Sequence, residues 1–197
     1  MKITKEPSSG TKKALEGDDV TFSCMTNSST EPVITWSRLN DELPEGNLES
    51  GNSKLYLKNV PRNYYGTYVC SAENGFGQKT KETIKLDVEY PPEIKIRNSL
   101  ITGKENNPLE LECVVDAKPE AVVTWFKNEN KISENDVIFD QNGDKHTISI
   151  QSLSSNDYGN YFCKAQNSRG EAGKYIDVVF GKARSAITTT PVKTTTV

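Results

Sequence analysis

The sequence has few of the residues on which enzymes usually build a catalytic site. His146 is its only histidine, and it contains no glycine-rich phosphate-binding motif and no EF-hand calcium loop. A serine or cysteine triad would have to be centred on His146. That residue opens the predicted strand "HTISI" in register with Ile148 and Ile150, which is typical of a partly covered strand residue. The sequence therefore predicts a protein that is not an enzyme and that needs no cofactor.

Long apolar segments and runs of basic residues are also absent. No segment approaches the roughly 18 apolar residues of a membrane span, so no direct membrane contact is expected in this fragment. The N-terminus, "MKITKEPSSG", lacks the apolar core of a signal peptide. The chain is expected to be either intracellular or a mature fragment with an added start methionine. Its net charge of −3, over intermixed acids and bases, gives no reason to expect nucleic-acid binding.

The four cysteines include no Cys-x-x-Cys pair, and one histidine leaves them short of zinc ligands. They are Cys24, Cys70, Cys113 and Cys163, which divide into pairs 46 and 50 positions apart. Two intradomain disulfides are the simplest interpretation, and each would stabilise its domain by about 4 kcal/mol. Disulfides persist in oxidising compartments, which favours an extracellular chain. The alternative is buried, reduced thiols in a cytosolic β domain.

Internal repetition is the strongest signal that is present. "NYYGTYVC" at 63–70 returns as "NDYGNYFC" at 156–163, and four further segments match in the same order. They are "VTFSC" (20–24) with "LELEC" (109–113), "VITWS" (33–37) with "VVTWF" (122–126), "KLYLKNV" (54–60) with "TISIQSL" (147–153), and "AENGFG" (72–77) with "AQNSRG" (165–170). The first cysteine precedes the tryptophan by 12 positions in both copies. One structural unit therefore occurs twice.

The matched segments alternate between apolar and polar residues with a period of two, which places the apolar side chains on one face of a β-strand. Turn-forming segments such as "ESGNS" and "QNGD" separate the strands, and no helical segment of useful length occurs. The predicted fold class is all-β. Each half should form about seven short antiparallel strands that pack as two sheets around one core.

The Cys-x11-Trp spacing followed by Tyr-x-Cys resembles the immunoglobulin superfamily. The short tryptophan-to-cysteine separation and the Ala-x-Asn-x-x-Gly segment after the second cysteine are similar to the intermediate set (I-set) of cell-adhesion molecules and receptor ectodomains. The resemblance implies two tandem immunoglobulin-like β-sandwiches, with several residues in defined roles. Those roles are the inter-sheet disulfides Cys24–Cys70 and Cys113–Cys163, the packing of Trp36 and Trp125 on them, and the tyrosine corners Tyr68 and Tyr161.

One position departs from the family phrase Asp-x-Gly-x-Tyr-x-Cys. The second copy has Asp157 at its first position, whereas the first copy has Tyr64. The interaction that Asp157 makes must therefore be replaced or missing in the first domain. We expect a local difference in stability and no difference in fold.

The predicted boundaries follow the repeat: residues 1–89 form the first domain, 90–92 a short linker and 93–180 the second domain. Pro91 and Pro92 restrict the linker backbone, which favours an extended rod. Residues 181–197 contain six threonines and little to bury, so they are predicted to be disordered. One interpretation is an O-glycosylated stalk with a membrane anchor beyond Val197. The other is a plain interdomain linker.

Asn-Ser-Ser at 27–29 is an N-glycosylation sequon that follows a predicted strand. Its position predicts that Asn27 lies in a surface loop. Together with the cysteine pairs and the threonine-rich tail, it indicates an extracellular chain.

Strand parity predicts a cluster of outward-facing aromatic residues in the second domain. If Trp125, Cys163 and the strand Ile176, Val178 and Phe180 face the core, then the alternating positions face outward. Those positions are Phe126, Phe162 and Tyr175, against the more polar Ser37 and Val69 in the first domain. Clustered exposed aromatic residues often mark binding sites. The alternative is cross-strand pairing that only steadies the sheet.

Two further surface features have weaker functional interpretations. Phe76 occupies the tip of a predicted turn in the first domain, where it could be an exposed anchor. Lys79, Lys81 and Lys85 share one strand face and could bind a sulfated glycan or an anionic lipid. The alternative, which we favour, is a solvated face that resists edge pairing.

The sequence as a whole predicts part of a cell-surface or secreted adhesion or recognition protein. It would bind another protein, including a copy of itself as one option, through a sheet face or loop tips. The alternatives are an intracellular structural protein with immunoglobulin-type repeats, as in muscle and cytoskeleton, and an immune or growth-factor receptor ectodomain.

Overall fold

The computed structural model describes residues 1–28, 32–44, 47–48, 53–77 and 79–181, and it is all-β. Within these residues only two 3-10 turns, Arg62–Tyr64 and Ser155–Asp157, are helical. No helix of the described part is long and apolar enough to cross a membrane. The predicted disordered tail lies outside the described residues, except for Gly181.

The chain folds into two compact units. The first unit comprises Met1–Glu93 with the short segments Asp116–Val122 and Ala165–Ala172. The second unit comprises Ile94–Val115, Val123–Lys164 and the described residues from Gly173 to Gly181. Each unit therefore contains most of one copy of the sequence repeat.

The described residues of the first unit form eight strands in two sheets. They are β1 (Ile3–Glu6), β2 (Thr11–Leu15), β3 (Val20–Thr26), β4 (Val33–Arg38), β5 (Asn47–Leu48), β6 (Lys54–Leu57), β7 (Gly66–Glu73) and β8 (Lys79–Lys95). One sheet has the order β1–β3–β6–β5, and the other contains β4, β7, β8 and β2 as successive neighbours. All pairs are antiparallel except β2 with β8, which is parallel.

The second unit repeats this plan with β9 to β16. They are β9 (Leu100–Gly103), β10 (Leu109–Lys118), β11 (Val122–Lys127), β12 (Asn130–Lys131), β13 (Ile138–Asn142), β14 (Lys145–Ile150), β15 (Gly159–Asn167) and β16 (Gly170–Phe180). One sheet has the order β12–β11–β15–β16–β9, and the other contains β13, β14 and β10 as successive neighbours. Strand β9 pairs with β16 in parallel, as β2 does with β8.

Each unit has its own core of inward-facing strand residues, because the apolar period of two matches the strand pleat. In the first unit Trp36 pairs with Cys70 across β4 and β7, and Phe22 packs on Trp36 and Tyr68. In the second unit Leu111 pairs with Ile148, and both are fully buried. Disulfides join Cys24 to Cys70 and Cys113 to Cys163, with Cα–Cα separations of 6.4 and 6.7 Å.

The expectation that Phe180 faces the core is wrong. Ile176 and Val178 are buried, but Phe180 is 55% exposed. Phe180 is the last residue of β16, and its ring packs edge to face on Tyr158, with 5.8 Å between the ring centroids. Strand parity predicted the inward direction and could not predict that this ring contacts Tyr158.

Candidate functional site

Three aromatic side chains form a continuous row on the outer face of the second unit's five-stranded sheet. Phe126, Phe162 and Tyr175 come from the neighbouring strands β11, β15 and β16. The Phe126 and Phe162 ring centroids are 6.3 Å apart, and those of Phe162 and Tyr175 are 4.4 Å apart. We call these residues the aromatic row. Both phenylalanines are partly buried, whereas Tyr175 is 57% exposed.

The outward direction of the aromatic row follows from its buried neighbours. Trp125, Cys163 and Ile176 each precede or follow a member of the row, and all three are buried in the core. Alternation along the strand therefore directs the row to the opposite face. The parity argument from the sequence thus places the three side chains as the structure does. Their binding role stays a prediction.

A glycine next to the row explains how the Phe162 ring lies against the sheet. A Cβ atom built on Gly173 would stand 2.0 Å from the tip of the Phe162 ring. The ring therefore covers the backbone of Gly173, where any side chain would displace it. Phe162 steadies the sheet in this way, while Tyr175 remains the most accessible member of the row.

The same face of the first unit has different chemistry. Ser37 pairs with Val69, and Val69 with Thr83, at the positions that correspond to the aromatic row. Lys79, Lys81 and Lys85 are all exposed there, and Lys79 forms an ion pair of 3.5 Å with Glu73. The first unit therefore presents hydroxyl groups and lysines where the second presents aromatic rings. That these lysines form a solvated face, and not a glycan-binding site, stays a prediction.

Two other predicted surface residues are accessible. Phe76 is 80% exposed in the turn between Asn74 and Gly77. Asn27 is also exposed, and its Oδ1 accepts a hydrogen bond of 2.8 Å from the backbone N–H of Lys2. A glycan would attach at the side-chain nitrogen, which this bond does not involve. Ser29, the hydroxyl residue of the sequon, lies outside the described residues.

The tyrosine corners occur in both units. The Tyr68 hydroxyl donates to the Tyr64 carbonyl at 2.9 Å, and the Tyr161 hydroxyl donates to the Asp157 carbonyl at 2.8 Å. Burial raises the pKa of Tyr68 to about 12 and also raises the pKa of Tyr161. Both hydroxyls therefore keep the proton that they donate throughout the neutral range.

The sequence departure at Tyr64 is compensated by Arg38. In the first unit the Arg38 guanidinium donates to the carbonyls of Asn63 and Tyr65, at 2.7 and 2.6 Å. In the second unit Lys127 takes the place of Arg38 and reaches both the Asn156 carbonyl and the Asp157 carboxylate. The Arg38 guanidinium also forms an ion pair of 2.7 Å with Asp41, so the cation of the first unit takes its carboxylate from a different segment of the chain.

Asp157 is held by more than this ion pair. Its Oδ2 accepts from the backbone N–H and the hydroxyl of Ser154, at 2.8 and 2.7 Å, which closes a capping box on the 3-10 turn. Burial opposes ionisation, but these hydrogen bonds and the Lys127 charge outweigh it and lower the pKa of Asp157. The ionised carboxylate therefore stabilises the folded second unit.

Sequence reasoning missed the cations Arg38 and Lys127. The aligned repeats contained a signal for them. Arg38 directly follows Ser37 and Lys127 directly follows Phe126, so both repeats have a basic residue at the same aligned position.

The described residues contain no group of three or more His, Cys, Asp or Glu side chains arranged to hold a metal ion.

Two disulfide-bridged sandwiches, each with a buried tryptophan and a tyrosine corner, define a tandem of immunoglobulin domains. The comparisons agree, because the immunoglobulin I-set domain model matches residues 92–179 and a second immunoglobulin domain model matches residues 2–74. The chain belongs to the immunoglobulin superfamily. These matches also confirm the expectation that it is not an enzyme.

Several curated proteins are about 30% identical to this chain over the aligned residues. Lachesin of Schistocerca americana is 30% identical, over 83% of this chain and 48% of that protein. Protein amalgam of Drosophila melanogaster is 32% identical, over 80% of this chain and 49% of that protein. Limbic system-associated membrane protein of Mus musculus is 30% identical, over 85% and 48%. The chain thus spans about half the length of the curated relatives it matches.

Among solved structures, a chain of the complex between Dpr2 Ig1–Ig2 and DIP-Theta Ig1–Ig3 superposes with a TM-score of 0.72 at 29% identity. The match covers 90% of this chain and 63% of that one. Titin A168169 superposes with a TM-score of 0.70 at 18% identity, over 86% of this chain and 94% of that one. At that identity the titin structure shows the shared fold alone.

Proposed function

We propose that this chain is part of a cell-surface or secreted adhesion protein that binds another protein through the aromatic row of its second unit. The observation that carries the proposal is the contact geometry of Phe126, Phe162 and Tyr175 on one outer sheet face. Aromatic rings supply a large apolar area at a low cost in side-chain entropy, and they are enriched among residues that dominate binding energy.

Cross-strand stabilisation explains only part of the row. Phe162 covers Gly173 and contacts both of its aromatic neighbours, so it serves the sheet as well as the surface. Tyr175 stands at the end of the row with 57% of its surface exposed. A sheet needs no ring in that accessible position, whereas a partner could cover it and gain a hydrogen bond from its hydroxyl.

A protein partner is the class that the comparisons support. The solved complex of Dpr2 with DIP-Theta joins two chains made of immunoglobulin domains. The limbic system-associated relative is named as a membrane protein. We therefore propose an immunoglobulin-domain ectodomain as the partner, with the chain itself among the candidates. Phe76 is a secondary candidate anchor because of its exposure.

The test replaces the two phenylalanines of the aromatic row by negatively charged aspartates and measures binding to a partner. A tetramerised form of the chain is applied to cells that each display one immunoglobulin-domain ectodomain, this chain included. We expect at least one ectodomain to bind. Phe126→Asp with Phe162→Asp should weaken that binding about 100-fold or more, because two aromatic contacts with the partner are lost.

The matched control is Ser37→Asp with Val69→Asp, which places the same charges at the corresponding positions of the first unit. It should bind as the unmodified chain does. Near-UV circular dichroism must show that both double variants are folded. Unchanged binding by the folded Phe126/Phe162 variant, or equal loss in the control, would overturn the proposal.

An extracellular location belongs to the same proposal. It is supported by the two disulfides, the accessible Asn27 and the relatives named above. Mass spectrometry of the protein from its native cells should find a glycan on Asn27 and no free thiol. An unmodified Asn27 together with four free thiols would instead support the intracellular structural class.

A further inference from the structure

The turn between Asn74 and Gly77 contains a chemically reactive dipeptide. Asn74-Gly75 and Asn142-Gly143 are the two Asn-Gly sequences of the chain. Glycine has no Cβ atom, so its backbone nitrogen is the least hindered of any residue. That nitrogen can attack the side-chain carbonyl carbon of the preceding asparagine and close a five-membered ring. In a folded protein the rate of this attack depends on the conformation in which the asparagine is held.

The structure folds the Asn74 side chain over the backbone of its turn. The Oδ1 atom of Asn74 accepts a hydrogen bond of 3.2 Å from the backbone N–H of Phe76. The amide of Gly75 lies between these two residues, so this Asx turn directs the Asn74 side chain towards the Gly75 nitrogen. The same hydrogen bond stabilises the negative charge that develops on Oδ1 when Cγ is attacked.

Asn142 is held in a different conformation. It is the last residue of β13, and it pairs with Lys145 of β14. The strand pairing keeps its backbone extended, and rotation towards ring closure would break that pairing. Asn142 is exposed and Asn74 is half-buried, so exposure alone would make Asn142 the more reactive of the two. The conformations predict the opposite order.

The second repeat contains the same turn without the reactive neighbour. Asn167 aligns with Asn74, and its Oδ1 accepts from the backbone N–H groups of Arg169 and Gly170 at 2.8 and 3.1 Å. Ser168 occupies the position that corresponds to the glycine. Its side chain hinders the approach of its own backbone nitrogen to the asparagine carbonyl. Asn167 therefore serves as an internal comparison for the same side-chain geometry.

We propose that Asn74 is a site of spontaneous deamidation in the folded protein. The Gly75 nitrogen loses its proton to a base in the solvent and forms a bond to Cγ of Asn74. The Nδ2 group takes up a proton and leaves as ammonia, which completes a succinimide ring. Water then adds to either ring carbonyl and opens the ring to aspartate or isoaspartate. The net reaction consumes water, releases ammonia and changes no oxidation state.

The modification changes the surface around Phe76, which is 80% exposed two positions further along the chain. Both products add a negative charge next to the exposed Glu73. Isoaspartate also inserts a methylene group into the backbone of a turn that is closed by a bond of 3.1 Å from the Gly77 N–H to the Asn74 carbonyl. The charge and shape of this loop tip therefore change with the age of the molecule. The inference does not depend on the proposed function.

Peptide mapping by mass spectrometry measures the deamidation rate of each asparagine during incubation of the folded chain at mildly alkaline pH. The same chain, reduced and unfolded in denaturant, gives the rates that the sequence alone sets. Folding should raise the ratio of the Asn74 rate to the Asn142 rate about tenfold or more, because only Asn74 keeps a conformation close to ring closure. Asn167 should stay unmodified in the folded chain.

Gly75→Ala removes the reactive neighbour and preserves the turn. A Cβ atom built on Gly75 meets no atom within 4 Å, and its φ lies outside the left-handed region, so alanine fits there. The variant should deamidate at Asn74 about tenfold more slowly or less, with the Asn142 rate unchanged. The matched control is Phe76→Ala, which keeps the backbone N–H and should leave the Asn74 rate unchanged. Near-UV circular dichroism must show that both variants are folded.

The products identify the route. Ring opening gives both aspartate and isoaspartate, whereas direct hydrolysis of the side-chain amide gives aspartate alone. The Asn74→Asp variant provides the elution standard for the aspartate product. Aspartate without isoaspartate at position 74 would overturn the inference. A folded chain in which the Asn74 to Asn142 rate ratio does not exceed that of the unfolded chain would also overturn it, as would a Gly75→Ala variant that reacts like its parent.

Discussion

Replacing Cys113 and Cys163 together by alanine should lower the free energy of unfolding of the second unit by about 4 kcal/mol. The bridge closes a loop of 50 residues between two facing sheets, so its removal restores much of the conformational entropy of the unfolded chain. Substituting both cysteines leaves no unpaired thiol. Denaturant unfolding, followed by tryptophan fluorescence, measures the loss.

The chain offers a reporter for each unit, because Trp36 lies in the first and Trp125 in the second. In a Trp36→Phe background, fluorescence follows the second unit alone. The matched control is Cys24→Ala with Cys70→Ala, which opens a loop of 46 residues in the first unit. It should leave the Trp125 transition unchanged. A midpoint for the Cys113/Cys163 variant equal to that of its parent would contradict the prediction.

Asp157→Asn should cost the second unit about 1–2 kcal/mol at pH 7, because the charged acceptor of the capping box and the Lys127 pair are lost. The pKa of Asp157 is lowered by folding. Its stabilisation is therefore complete above the ordinary aspartate pKa of about 3.9, and it disappears as pH falls through the lower folded value. The difference between parent and variant should narrow below about pH 4.

Asp136→Asn is the control for this prediction. Asp136 accepts from the backbone and hydroxyl of Ser133 as Asp157 does from Ser154, but it is exposed. Its replacement should change stability by about 0.5 kcal/mol or less. Equal losses for the two variants at pH 7, or a loss for Asp157→Asn that does not narrow as the pH falls below about 4, would contradict the role assigned to Lys127 and the capping box.

Much of the fold could be predicted because its signals are local or repeated. The two Cys–Trp–Cys frameworks and the period of two predicted the sandwiches, and parity predicted that Phe126, Phe162 and Tyr175 face outward. The same alternation predicted wrongly that Phe180 faces the core. The position of a side chain at the end of a strand also depends on its neighbours, and the Phe180 ring packs on Tyr158. Side-chain alternation along a strand predicts which face of the sheet a residue occupies, but it does not predict which residues its side chain contacts.

The roles of Arg38 and Lys127 required the structure for a related reason. Each cation bonds to a turn about 25–30 positions away in the chain, at Asn63 and Asn156 respectively. Nothing in the segments around either residue specifies that meeting. It results from the antiparallel pairing that brings the end of one strand to the start of another.

The sequence by itself determined the class of this protein: two immunoglobulin domains, a disulfide in each, and an outer face that is aromatic in one domain and polar in the other. Only the tertiary structure decided that the three rings touch and that the Phe162 ring lies on Gly173. The physical reason is that side-chain alternation is a property of one strand, whereas contacts across a face depend on the register between strands.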